Sequence, residues 1–100
     1  MPKGKLAVQC AHASVEGVLG SSKEKVDAWR HEGMKKAVLK VKDLEELRMY
    51  LTRAQAAKLK VALITDAGKT FFETSTTTCC ALGPDKEEAI DKITGDLSMV

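Results

Sequence analysis

No apolar run in this chain approaches the roughly 20 residues that span a bilayer, so no membrane helix is expected. The N-terminus, MPKGK followed by an alanine-rich amphipathic segment, lacks the unbroken apolar core of a secretory signal. That segment also has no Arg, in which transit peptides are rich, and the expected location is the cytoplasm, with an organelle left open. Cysteine is scarce: Cys10, Cys79 and Cys80 make an odd number, and no Cys-x-x-Cys or Cys/His cluster at zinc spacing appears. No metal site is expected, and the three thiols read as small hydrophobes in a reducing compartment. A nucleophile elbow, a phosphate-cradling glycine loop and a dinucleotide fingerprint are all missing. So are repeats, low-complexity segments and linkers, which leaves one domain over residues 1–100.

What is present suits a self-sufficient core. With 100 residues, 44% of them hydrophobic and 30% charged, the chain needs no staple to fold. Its net charge of +2 conceals a gradient: residues 1–42 carry +5, residues 43–83 are neutral and residues 84–100 carry −3. A polyanion would approach the N-terminal half, although a merely solvated surface accounts for the same charges.

Periodicity predicts a first helix over Lys5–Leu19, apolar or small nearly all the way round and hence mostly buried. Ser22 caps a second helix, Lys23–His31, which Gly33 ends. Lys35–Val41, KKAVLKV, reads as a strand. Asp43 and Glu46 form a capping box for a third helix running to about Lys58. Lys60–Thr65 is a strand, 70–73 and Thr76–Leu82 are extended, and Lys86–Thr94 is a last helix. This order predicts an α/β fold, a three-layer α/β/α sandwich around a small mixed sheet.

Three constellations could carry chemistry. Lys5, Gln9, His12 and Glu16 share one stripe of the first helix, within about 60° of arc. A lysine in the first helical turn opposes the dipole, so a bound anion or a carboxylate should compensate it; the alternative is a solvated lysine beside a packing histidine. Asp66-Ala67-Gly68 is turn chemistry, yet it delivers a carboxylate to the end of a strand, where open α/β sheets place ligands. In the Thr74–Thr78 run, alternation would put Thr76 and Thr78 on one face, fit for a ribose, a phosphate or a water, or simply for a strand.

At Gly4-Lys5-x-Ala7-x-Gln9-x-Ala11-His12-Ala13 the chain resembles the signature helix of the second type of peptidyl-tRNA hydrolase, the archaeal and eukaryotic form. The resemblance continues through Trp29-x-x-x-Gly33, KKAVLKV, Asp43-Leu-Glu-Glu-Leu, LITDAGKT, Leu82-Gly83-Pro84 and Ile90–Gly95. It implies an esterase that cleaves peptide from the 3′-terminal ribose of tRNA without a cofactor, and whose members often form dimers. Peptidyl-tRNA is the implied partner, and no DNA is expected. Lys5, Asp66, Thr70 and Thr78 fall on the family's catalytic positions, and Gln9, His12, Gly68 and Thr76 on substrate-facing ones. Two departures stand out. The family's first strand is expected to be absent from this chain, and Glu73-Thr74-Ser75 replaces a small residue, Pro and Gly. A catalytically impaired adaptor on the same scaffold is the alternative reading. Glu16 has no role in the resemblance.

Overall fold

The structure, a computed structural model, describes residues 2–66 and 76–100. The expected extension at 70–73, the Glu73–Ser75 departure, Gly68 and Thr70 lie outside the described residues. The elements run α1 (Lys3–Leu19), α2 (Lys23–His31), α3 (Leu44–Ala56), β1 (Val61–Asp66), β2 (Thr76–Leu82) and α4 (Glu87–Thr94). No described helix is long and apolar enough to cross a membrane.

Local chemistry sets the helix ends. The Ser22 side chain accepts from the Lys25 amide at 3.3 Å, and α2 closes with Gly33 at φ +106°. The Met34 amide then reaches back to the Trp29 carbonyl at 2.9 Å, a six-to-one closure that glycine's freedom at positive φ permits. At α3, Asp43 Oδ1 accepts from the Glu46 amide at 2.8 Å, while Glu46 Oε1 accepts from Lys42 N–H at 3.4 Å. The capping box is thus displaced by one residue from its usual reciprocal form. The α3 end repeats the six-to-one closure, Leu59 N–H to Ala54 C=O at 3.0 Å.

The fold is α/β, with three layers: α1, the sheet, and α3 with α4 beside it. Among the described residues the sheet holds two strands, β1 and β2, and they are antiparallel. A mixed sheet needed Lys35–Val41 as a strand, and this segment instead makes one isolated bridge, Leu39 to Met99. The reason is partner length. Among the described residues only Ser98–Val100 lie alongside, giving Lys40 N–H to Ser98 C=O and Val100 N–H to Val38 C=O, both at 3.0 Å. Three residues of partner cannot extend a ladder, whatever the β-propensity of the run.

Among the described residues the buried apolar side chains are Ala13, Tyr50, Ala54, Leu59, Ala62 and Ile64. The expectation of a mostly buried first helix fails. Only Ala13 and Gly17 of α1 are buried, and Val8, Val15 and Leu19 are 67%, 54% and 74% exposed. Two strands make a sheet only about 10 Å across, no wider than one helix, so one face of α1 covers it. Among the described residues its other flank meets no second layer. Tyr50, buried in α3, donates to Asp96 Oδ2 at 3.0 Å and so joins α3 to the turn after α4.

Candidate functional site

The site is set by how α1 lies on β2. Gly17 packs against the Gly83 carbonyl so closely that a Cβ there would stand 2.8 Å from that oxygen and 3.6 Å from Ala81 Cβ. Further along, the Cys79 thiol donates to the Gln9 carbonyl at 3.4 Å. These two contacts fix α1 parallel to β2. Running back from Gly17 to Lys5 covers twelve residues, about 18 Å at helical rise. Six residues back from Gly83 along a strand cover about 20 Å and end at Thr77. The second contact agrees, since Gln9 to Lys5 is about 6 Å and Cys79 to Thr77 about 7 Å. Lys5 therefore comes level with the register pairs Thr65–Thr77 and Asp66–Thr76.

That end of the sheet carries an irregularity. Ile64 pairs with Cys79 and Thr65 with Thr77, so Thr78 is the extra residue of a β-bulge. Beyond the bulge Asp66 pairs with Thr76. Ala62 and Ile64 belong to the face that α1 covers, because their partners Ala81 and Cys79 are the residues α1 touches.

On α1, Lys5 lies in the first turn and is exposed. The helix begins without a side-chain cap at Pro2 and without an acidic residue in its first turn. The dipole cost inferred from sequence is therefore not met from within the helix's own start. His12 and Glu16 follow on the same stripe, Nε2 to Oε1 at 3.8 Å with both side chains about half exposed, at 55% and 52%. Alongside them runs a groove of about 410 Å³, walled by His12, Glu16, Gly20 and the length of β1 from Lys60 to Thr65. Sequence reasoning linked His12 and Glu16 to a cleft but missed Lys60–Thr65 as its other wall. It also missed Gly17, although an unexplained glycine inside a helical pattern is itself a signal of close approach.

The remaining polar groups serve structure. Lys25 Nζ donates to Asp85 Oδ2 at 2.8 Å, and Lys35 pairs with Glu87, so α2 and the chain after it are tied to the start of α4. Burial works to raise the Asp85 carboxyl, but the Lys25 hydrogen bond, the Lys86 amide and both lysine charges outweigh it and hold the group below its ordinary value. Burial, and then the neighbouring Cys79, push the Cys80 thiol up to about 11, away from reactivity. Among the described residues no three His, Cys, Asp or Glu side chains gather as a metal set.

Comparison with known proteins adds the chemical context. A family model described as peptidyl-tRNA hydrolase PTH2 matches residues 1–100. A protein named peptidyl-tRNA hydrolase from Nanoarchaeum equitans is 48% identical over 100 residues, covering 97% of this chain and 87% of its own length. Proteins of the same name from Metallosphaera sedula and Thermococcus onnurineus are 44% and 45% identical. Both cover 100% of this chain, and the match takes in 90% and 87% of their own lengths.

Proposed function

Because this chain belongs to the PTH2 family of peptidyl-tRNA hydrolases, and so is a hydrolase of peptidyl-tRNA, we propose how its residues divide that reaction. The substrate ester joins the peptide's C-terminal carbonyl to the 3′-terminal ribose of tRNA. Water adds to that carbonyl, the tetrahedral intermediate expels the ribose oxygen, and the products are a peptide carboxylate and a free tRNA hydroxyl. Lys5 stabilises the negative charge that develops on the carbonyl oxygen. Asp66 orients the attacking water and takes its proton, which then goes to the leaving ribose oxygen. Thr70 and Thr78 position water or ribose, and Gln9, His12, Gly68 and Thr76 face the substrate. Acceptor-stem phosphates meet the basic N-terminal half. The enzyme acts in the cytoplasm and pairs into a homodimer by covering the exposed Val8, Val15 and Leu19 strip.

One observation supports this division above the others: the two contacts between α1 and β2 bring Lys5 level with the Asp66–Thr76 pair. The experiment is release of peptide from N-blocked aminoacyl-tRNA. Lys5→Ala and Asp66→Asn should each lower kcat by about 10²-fold or more, with unchanged far-ultraviolet circular dichroism. Full kcat in either variant would sink the assigned roles, and no release by the native chain would favour an adaptor.

A further inference from the structure

We propose that the groove between α1 and the outer edge of β1 binds the peptide part of peptidyl-tRNA as an added strand, parallel to β1 and held by main-chain hydrogen bonds. The inference rests on the hydrolase reading and deepens it, because the resemblance assigns nothing to Glu16, Lys60 or this edge.

The edge follows from the ladder. Gly83 N–H donates to the Lys60 carbonyl at 2.8 Å, which makes 60/83 a hydrogen-bonded pair. Pairs 62/81 and 64/79 are then hydrogen-bonded too, and alternation turns the amides and carbonyls of Val61 and Leu63 to the other side. Among the described residues no second strand lies there, and neither residue has a backbone partner outside β2. Leu63 is 47% exposed. An open edge of this kind accepts an extended chain.

The groove's course identifies the occupant. It runs from Gly20 and Lys60 to Thr65, ending one residue before Asp66 and hence where the ester is proposed to sit. A peptide esterified at that end extends back along β1 with its N-terminal side toward Lys60, which gives the parallel direction. The wall spans about 16 Å, room for about five extended residues, in a volume of about 410 Å³. Aborted peptides have no common sequence. Recognition through the main chain needs none, and the flank supplies donors and acceptors from His12, Glu16 and Lys60 rather than a selective apolar pocket.

The test compares tetrapeptidyl-tRNA with N-acetyl-aminoacyl-tRNA. In the native chain kcat/KM should favour the tetrapeptide by about tenfold or more, the return on two or more main-chain hydrogen bonds. Leu63→Pro removes one outward amide at an edge position, where proline is tolerated, and should lower the ratio to about threefold or less. Should that variant fail to fold, a tetrapeptidyl-tRNA N-methylated at its internal amides removes the peptide's own donors on the native protein, with an expected ratio of about 1. A native ratio near 1, or a tenfold ratio that survives N-methylation, overturns the proposal. So does a dimer that Leu63→Pro dissociates, which would place a second copy on this edge. Hydrolysis of neither substrate would overturn the hydrolase reading, and this inference with it.

Discussion

Gly17 decides more about the site than its lack of a side chain suggests. An alanine there would gain about 1 kcal/mol of helix propensity. Its Cβ, however, would stand 2.8 Å from a backbone carbonyl that cannot swing aside. Gly17→Ala should therefore destabilise the fold by about 1–2 kcal/mol net, read as a lower urea midpoint at unchanged slope. It should also lower kcat, since lifting α1 displaces Lys5 from the Asp66 end. A midpoint equal to or above that of the native chain would show that the helix does not depend on this approach. Motif resemblance is what proposes Lys5, Asp66 and Thr78 for the site, whereas Gly17 stood in the sequence only as an anomaly. Burial was not legible at all: the apolar count of α1 said nothing about the width of the sheet it would cover.

Elements whose signals are local were read well. Ser22, Gly33 and Asp43 fix the ends of α2 and the start of α3 through hydrogen bonds within five residues. Elements that need a distant partner were not. Lys35–Val41 has the composition of a strand but meets only a three-residue tail, and the bulge at Thr78 hides in a uniformly β-branched run. Between elements, the tie from α2 to α4 makes a pH prediction. Asp85 has a lowered carboxyl pKa in the fold, so it adds stability above the unfolded carboxylate value of about 3.9. That stability is lost as pH falls through the folded value. Lys25→Ala should cost about 0.5–1 kcal/mol at pH 7 and less at pH 3, followed by thermal melts at both. An equal cost at the two values would show that Lys25 acts through packing instead.

Over the whole molecule, the proposed meeting of the RNA backbone with the basic N-terminal half makes a salt prediction. Residues 1–42 carry +5, of which Lys25 and Lys35 are paired with Asp85 and Glu87 of the acidic C-terminal segment. KM for peptidyl-tRNA should rise steeply with salt, about tenfold or more between 50 and 200 mM if three or more phosphates are neutralised. Steady-state kinetics over that range with kcat monitored would check it, and a flat KM would place the RNA away from these lysines. The Cys79–Gln9 bond joins residues 70 apart in sequence, and the Lys25–Asp85 pair joins residues 60 apart.

The contact of Gly17 with Gly83 also has a consequence for synthesis. The first helix leaves the ribosome before the carbonyl that seats it, which is made 66 residues after Gly17. Until then the helix lacks that seat, and closure across so long a span must await Gly83. A nascent chain arrested before Gly83 therefore carries its lysine but cannot place it, and assembly of the site is deferred until the end of β2 has been made.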